Sequence, residues 1–246
     1  MISAVLFDLF ETLITESAVR PTRASSLGEN LGLEREAFRD EWRIRRPRVL
    51  LGRLSFAEAL AEICRSLTGS VDMGAVQGMC EQRALEKAAA FAHISAEVAA
   101  LITELADRGV ALGVISNCFE EDVRAWPACP LARKFRCALF SFAEGVVKPE
   151  AEIYRRAVRQ LGVQPATALF VGDGADNELV GAEQAGLRAF RATWFATDGR
   201  QLRSEITALD LASGQDVLNL LLNEAIQPTH RQAAGGRNVA AEAPEE

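Results

Sequence analysis

The sequence predicts an α/β fold in which a doubly wound, mainly parallel sheet carries an inserted all-helical domain. Four short apolar runs, each followed by polar residues, are spread along the chain in the pattern of buried parallel strands. Between the first and second runs, residues 18–92 show helical periodicity throughout. A chain of 246 residues is long enough for one α/β core and an insertion.

The first strand is predicted at residues 2–7 and ends at Asp8. An apolar run of this length indicates a buried strand, which delivers the Asp8 carboxylate at its carboxyl end. Open α/β sheets bind their ligands at that edge, so Asp8 is a candidate nucleophile. An Asp that only caps the following turn would look the same in sequence.

The inserted segment is predicted to be a helical cap domain over residues 16–92. Apolar side chains recur there at helical spacing, and Ser55 followed by Glu58 forms a capping-box pattern that marks the start of one helix. The α/β core then comprises residues 1–15 and 93–225. Residues 226–246 are predicted to be a disordered tail, because their Ala, Gly, Asn and acidic composition cannot bury a core.

Three later apolar runs also end in polar residues. Ser116 and Asn117 follow the second run, Lys148 lies downstream of the third, and Asp173 ends the fourth, with Glu178 close behind it. A helix cap, a solvated loop charge or a tight turn would explain each residue singly. Four such strand ends in one chain instead indicate a single polar site.

These residues resemble the four signatures of the haloacid dehalogenase-like hydrolase superfamily, in the subgroup whose helical cap follows the first strand. The signatures fall on Asp8 to Thr12, Ser116-Asn117, Lys148-Pro149, and Gly172-Asp173 with Glu178. Residues 145–154 are similar to the third signature almost residue for residue. The resemblance covers the chain apart from its tail and implies a Rossmann-like core and a hydrolase that forms a covalent ester on Asp8.

The resemblance also implies a role for each signature residue. Ser116 and the Asn117 backbone would donate hydrogen bonds to the group under attack. Lys148 would neutralise negative charge on Asp8 and on the substrate, and would hold the Asp8 pKa down.

A magnesium site is implied at the same edge of the sheet. Its ligands would be Asp8, the Phe10 backbone carbonyl and Asp173, with Glu178 binding directly or through water. Such oxygen ligands suit Mg²⁺, a hard cation that retains waters.

Phe10 departs from the superfamily's phosphatases, which carry a second Asp at this position as general acid. General acid-base assistance is worth about 10²- to 10⁴-fold in rate. An aromatic residue here is similar instead to the 2-haloacid dehalogenases, which need neither a proton donor nor Mg²⁺ but lack the Gly172-Asp173 pair seen in this chain. Glu11 could replace the missing acid or be an exposed turn carboxylate, and a good leaving group, as in an acyl or aryl phosphate, would make the acid unnecessary.

The cap is expected to select the substrate through arginines, which suit bidentate binding of carboxylate or phosphate. Five arginines lie near Trp42 between residues 43 and 53, but helical spacing turns most of them toward solvent. Arg43 and Arg46 are the candidates from this cluster. Arg20 is a further candidate, and Thr12 is expected to contact substrate within the first signature.

Composition excludes several other classes of protein. A net charge of -7 argues against a binder of nucleic acid. Five cysteines without a C-x-x-C pair, together with only two histidines, argue against a zinc site and favour reduced thiols in the cytoplasm. The apolar run stopped by Asp8 predicts neither a signal peptide nor a membrane span.

Three functions follow from these observations. The first is a Mg²⁺-dependent phosphatase acting on a small anionic metabolite, favoured by Asp173 and Lys148. The second is metal-independent hydrolysis of a carbon-halogen bond, favoured by Phe10. The third is a binding homologue without turnover, favoured by Phe10 together with Glu11 and Glu178. The sequence leaves the oligomeric state open.

Overall fold

A computed structural model of the protein describes residues 2–16, 24–196 and 208–222, with side chains from residue 27 onward in the second range. Within these ranges six strands form one parallel sheet in the order β3-β2-β1-β4-β5-β6. The strands are β1 (Ala4–Phe7), β2 (Ala111–Ser116), β3 (Cys137–Phe140), β4 (Ala168–Gly172), β5 (Arg188–Ala192) and β6 (Leu209–Leu211). The predicted doubly wound parallel sheet is confirmed.

Ten helices are described around this sheet. Those before β2 are α1 (Ala24–Asn30), α2 (Arg35–Leu50), α3 (Phe56–Thr68), α4 (Met73–Phe91) and α5 (Ala96–Asp107). Those after β2 are α6 (Glu120–Val123), α7 (Ser141–Glu144), α8 (Ala151–Leu161), α9 (Glu178–Gln184) and α10 (Gly214–Leu222). Within the described residues, no single helix has the length and apolarity needed to cross a membrane; α4 and α5 meet that test only jointly, across a bend of 70°.

The central strand β1 is buried on both faces, which explains its unbroken apolar sequence. Val5 and Phe7 pack into one hydrophobic cluster with α5 and α10. Ala4 and Leu6 point to the other face and pack with α8 and α9. Alternate side chains of one strand therefore anchor helices on both sides of the sheet.

Strand register brings the predicted site residues to one edge. Phe7 pairs with Val114 of β2 and with Val171 of β4. Asp8 lies one residue beyond this level, whereas Ser116 and Asp173 each lie two residues beyond it. The three side chains therefore emerge together at the carboxyl edge of the sheet, as predicted from the ends of the apolar runs.

Helices α1–α4 share a hydrophobic cluster separate from those of the sheet, centred on Phe38, Trp42, Phe56 and Ile63. The predicted capping box at the start of α3 is present: the Ser55 hydroxyl accepts from the Glu58 backbone at 3.1 Å, and the Glu58 carboxylate accepts from the Ser55 backbone at 2.8 Å. This second core supports the predicted helical cap, while the exact domain boundaries remain a prediction. The predicted tail, residues 226–246, lies outside the described residues.

Candidate active site

Asp8 is held at the end of β1 with its carboxylate almost completely buried. Its backbone N–H donates to the Val171 carbonyl at 2.9 Å, which continues the pairing of β1 with β4 beyond the strand. The Asp8 side chain accepts a hydrogen bond from Lys148 Nζ. The predicted nucleophile and the predicted lysine are therefore direct partners.

Lys148 lies between two carboxylates, and its backbone is fixed by Asn117. Its Nζ donates to Asp8 and, at 2.5 Å, to Glu178 Oε2. The Asn117 amide donates to the Lys148 carbonyl at 2.9 Å, and the Asn117 side-chain oxygen accepts from the Lys148 N–H at 2.8 Å. Sequence reasoning assigned Asn117 only a backbone role, but its side chain positions the lysine.

Each oxygen of the Glu178 carboxylate accepts a hydrogen bond within the site. Its Oε2 accepts from Lys148, and its Oε1 accepts from the Gly174 backbone at 3.0 Å. A Cβ atom on Gly172 would lie only 2.1 Å from Glu178 Oε1, so Gly172 leaves the space that this carboxylate fills. Asp173 accepts from the Ala175 backbone at 2.9 Å through Oδ1.

The three carboxylates fit a hard divalent cation. Asp8, Asp173 and Glu178 each offer an oxygen, and these oxygens lie within 4.8 Å of one another. Carboxylate oxygens converging at this range are the donor set that Mg²⁺ binds in proteins. Asp8, Asp173 and Glu178 would hold the ion; the Phe10 carbonyl remains a predicted ligand.

Burial shifts the proton equilibria of this cluster. It raises the Asp8 pKa; the Lys148 ammonium lowers that pKa, as expected, but offsets the effect of burial only in part. Burial also raises the Glu178 pKa, to about 8. Burial alone would lower the Lys148 pKa, but Asp8 and Glu178 more than offset this and raise it.

Ser116 and Thr12 are both buried beside the cluster. Ser116 is the last residue of β2, with 1% of its surface exposed. The Thr12 hydroxyl is buried without a hydrogen-bond partner among the described residues, whereas its carbonyl accepts from Trp194 Nε1 at 2.9 Å. The predicted contact of Thr12 with substrate remains a prediction.

Glu11 is used within its own turn and is not brought into the site. It has a positive φ of 58°. Its carboxylate accepts from the Thr15 hydroxyl at 3.1 Å and from the Glu16 N–H at 3.0 Å. This arrangement supports the turn-carboxylate interpretation over a role as the missing acid.

A cavity of about 200 Å³, here called the cleft, lies between the helical insertion and the sheet edge. Its walls include Arg46 and Lys87 from the insertion, and Phe10, Asn117 and Phe119 from the core. Because Asn117 also fixes Lys148, the cleft adjoins the buried carboxylates. It is therefore the natural place for the part of a substrate that is not under attack.

The predicted cap arginines divide between cleft and solvent. Arg46 lines the cleft. Arg43 does not: its side chain is 71% exposed and pairs with Asp40 at 2.8 Å, so that prediction is wrong. Residues 43 and 46 are three positions apart, so they lie on the same side of α2 about one turn apart along its axis, and only the second lines the cleft. Arg20 lies outside the described residues.

Four charged residues of the cleft were missed from the sequence: Glu16, Arg83, Lys87 and Asp122. Arg83 pairs with Asp122 at 2.6 Å, and Lys87 binds the Glu16 carboxylate. Lys87 is 8% exposed and lies on the same face of α4 as the buried Ala84 and Ala90. The sequence signal that could have identified Lys87 is a lysine among the apolar residues of one helix face.

Comparisons with known proteins agree with this geometry. A family model described as haloacid dehalogenase-like hydrolase matches residues 2–186. Phosphoserine phosphatase from Thermus thermophilus is 33% identical over 119 residues, covering 46% of this chain and 48% of that protein. The chain spans about half the length of the curated relatives it matches.

Solved structures of a phosphatase and of a haloacid dehalogenase both share the fold of this chain. A 2-haloacid dehalogenase from Pseudomonas syringae pv. Tomato superposes with a TM-score of 0.61 at 23% identity, covering 90% of this chain and 99% of that one. A HAD phosphatase from Thermococcus onnurineus superposes with a TM-score of 0.57 at 18% identity, covering 89% and 98%. With the family model matching residues 2–186 and the four signatures gathered at one edge of the sheet, this chain belongs to the haloacid dehalogenase-like hydrolases.

Proposed function

We propose that this chain is a Mg²⁺-dependent phosphatase that acts on a small anionic metabolite through a covalent intermediate on Asp8. The observation that carries the proposal is the convergence of Asp8, Asp173 and Glu178 within 4.8 Å, beside the ammonium of Lys148. A carbon-halogen hydrolase needs the nucleophile and the lysine but no further carboxylates. The additional acids are explained by a divalent cation that accompanies a phosphate group.

The chain's own residues would divide the work as follows. The Asp8 carboxylate attacks phosphorus, and water later hydrolyses the aspartyl phosphate. Lys148 offsets the negative charge that Asp8 and the phosphoryl group bring together, while Ser116 and the Asn117 backbone donate hydrogen bonds to the phosphoryl oxygens. A bound Mg²⁺ would supply further charge compensation on those oxygens.

The cleft supports an anionic substrate of small size. Its lining carries three cations, Arg46, Arg83 and Lys87, against two carboxylates, Glu16 and Asp122. No ion pair is assigned to Arg46 within the described residues, so its guanidinium is available for a carboxylate or phosphate of the substrate. The phosphatase activity of the Thermus relative supports the same class of reaction.

A second candidate function is metal-independent hydrolysis of a carbon-halogen bond. Phe10 favours it, since a halide leaves without a proton and an aromatic residue at this position resembles the 2-haloacid dehalogenases. The five free, buried cysteines fit either enzyme in a reducing cytoplasm. Among the residues of the cleft, Phe10 is the one that favours the dehalogenase over the phosphatase.

Calorimetry and phosphate release together test the proposal. The wild type is expected to bind Mg²⁺ saturably and to hydrolyse p-nitrophenyl phosphate only with the metal present. Asp173→Ala should lose Mg²⁺ binding, and Asp8→Asn should lose turnover while keeping its fold, because the change is isosteric and removes only the attacking charge.

Arg43→Gln is the matched control, because Arg43 is exposed and paired away from the cleft. It should retain both properties. A wild type that binds no Mg²⁺ but releases halide from a 2-haloacid would overturn the proposal in favour of the second candidate.

A further inference from the structure

Lys87 brings a buried ammonium from α4 to Phe10, the residue that stands where related phosphatases carry their general acid. Its Nζ lies 4.2 Å from the centroid of the Phe10 ring, within range of a cation-π contact. Its side chain is 10% exposed and lines the cleft. The chain therefore places a cation next to a position that carries no carboxylic acid.

The ion pair with Glu16 shows that this ammonium binds a carboxylate. The Glu16 carboxylate is bonded to Lys87 Nζ, and its side chain is 26% exposed. The other acidic neighbour, Asp122, is 3.9 Å from Lys87 and is already paired with Arg83 at 2.6 Å. Glu16 is thus the more accessible of the two acidic partners, and its contact shows that the Lys87 ammonium can bind a carboxylate at the cleft.

We propose that Lys87 binds the leaving group as an anion and that the substrate is an acyl phosphate, whose leaving group is a carboxylate. This inference rests on the proposed phosphoryl transfer to Asp8. An alkoxide departs poorly without a proton because it is strongly basic, whereas a carboxylate is stable as an anion at neutral pH. A cation beside Phe10 serves the second kind of leaving group without any proton transfer.

The reaction balances without a general acid. Asp8 forms a bond to phosphorus while the bond from phosphorus to the acyl oxygen breaks, and that electron pair stays on the departing carboxylate beside Lys87. One acyl phosphate is exchanged for another in this step. Water then attacks phosphorus, the electron pair of the broken bond returns to Asp8, and both protons of the water leave on the dihydrogen phosphate product.

Acetyl phosphate, ethyl phosphate and a series of substituted phenyl phosphates serve as the test substrates, with Mg²⁺ present. The wild type should prefer acetyl phosphate over ethyl phosphate. Lys87→Met should lower kcat/KM for acetyl phosphate about 10²-fold, the scale expected when one charge-stabilising donor is removed. The phenyl series should depend more steeply on leaving-group pKa in Lys87→Met, because the departing charge is no longer compensated.

Two further variants separate leaving-group binding from a purely structural role. Lys87→Arg keeps the charge and should restore most of the activity, and Glu16→Gln should lower KM for acetyl phosphate by removing the competing carboxylate. Lys134→Met is the control, because Lys134 lies in the turn before β3 and does not line the cleft. Thermal melting checks that each variant is folded.

The outcomes distinguish this inference from the proposed function. An unchanged steepness in Lys87→Met, or wild-type preference for ethyl phosphate, overturns the role of Lys87 and leaves Asp8-dependent phosphatase activity standing. Absence of Asp8-dependent turnover of every phosphate overturns both.

Discussion

Asp8, Lys148 and Glu178 form a buried group of charges that folding alone does not explain. None of the three is more than 6% exposed, and together they carry two carboxylates for one ammonium. Burying an ion costs several kcal/mol even after pairing, and a single ammonium here serves two buried carboxyl groups. Such an arrangement is typical of a functional site, where a metal or substrate supplies the missing positive charge.

Magnesium affinity should rise with pH because protons and metal compete for the same carboxylates. Asp8 and Glu178 both have raised pKa values, that of Glu178 reaching about 8. Below that value Glu178 is increasingly protonated and must lose its proton to bind Mg²⁺, and one displaced proton changes the affinity by about tenfold per pH unit. Titration calorimetry at pH 6, 7, 8 and 9 should therefore show affinity increasing up to about pH 8 and then levelling off.

Glu178→Gln provides the control for this pH dependence. The amide cannot titrate, so its Mg²⁺ affinity should vary less between pH 6 and 8 than that of the wild type. An affinity in the wild type that is constant across this range would mean that neither carboxyl group holds a proton in the metal-free protein.

At the level of single elements, α9 supports the site by packing against the loop that carries Lys148. A Cβ atom on Gly181 of α9 would lie 2.2 Å from the Pro149 carbonyl oxygen. That close approach allows the helix that begins at Glu178 to sit against the residue following Lys148. One glycine thus sets the distance between the two partners of a buried ion pair.

Gly181→Ala should destabilise the protein and reduce turnover together. The added methyl group must displace the Pro149 backbone, and overpacking of this kind costs about 1–3 kcal/mol. The shift would also disturb Lys148, the residue before Pro149, and its contact with Asp8. Urea unfolding and phosphate release measure the two effects.

Gly78→Ala is a matched control inside α4, where an added Cβ meets nothing within 4 Å. It should raise stability by about 0.5–1 kcal/mol through the loss of backbone freedom in the unfolded chain. Equal stability changes at the two glycines would show that the contact at Pro149 relaxes without cost.

Site residues at strand ends were easier to predict from the sequence than site residues on the helices of the cap. Asp8 and Asp173 follow apolar runs, and the carboxyl ends of parallel strands meet at one edge whatever the details of packing. Arg43 and Arg46 lie about one turn apart on α2. Which of them reaches the cleft depends on how the helices of the insertion pack. The roles of Arg46 and Lys87 therefore required the tertiary structure.

At the scale of the whole molecule, aromatic side chains join the helical insertion to the core above the site. Phe119, in the loop after β2, stacks on Phe56 of α3 with ring centroids 5.7 Å apart and meets Trp42 of α2 edge to face at 5.6 Å.

The fold class could be predicted because each strand is formed by a short run of neighbouring residues, whose apolar pattern is visible in the sequence. The contacts of Phe119 with Phe56 and Trp42 join residues more than 60 positions apart, so the periodicity of the sequence could not predict the shape of the cleft.

Phe10 lies between the insertion and the core, and its lack of an acidic group predicts which leaving groups the enzyme can release. Its ring meets Phe91 edge to face at 6.2 Å, and Lys87 lies over it. With no acid at this position, wild-type rates should depend steeply on leaving-group pKa, and aryl and acyl phosphates should far outrun alkyl phosphates. A departing oxygen that receives no proton carries nearly its full charge.

Phe10→Asp should raise turnover of ethyl phosphate, by up to about 10²-fold if the new carboxyl group reaches the departing oxygen. Glu11→Gln is the control and should leave every rate unchanged, since the Glu11 carboxylate is held by Thr15 and the Glu16 backbone. Steady-state rates on ethyl and phenyl phosphates measure both. A flat leaving-group dependence in the wild type would show that the chain already contains a general acid. A large loss of ethyl phosphate activity in Glu11→Gln would show that Glu11 moves to supply it.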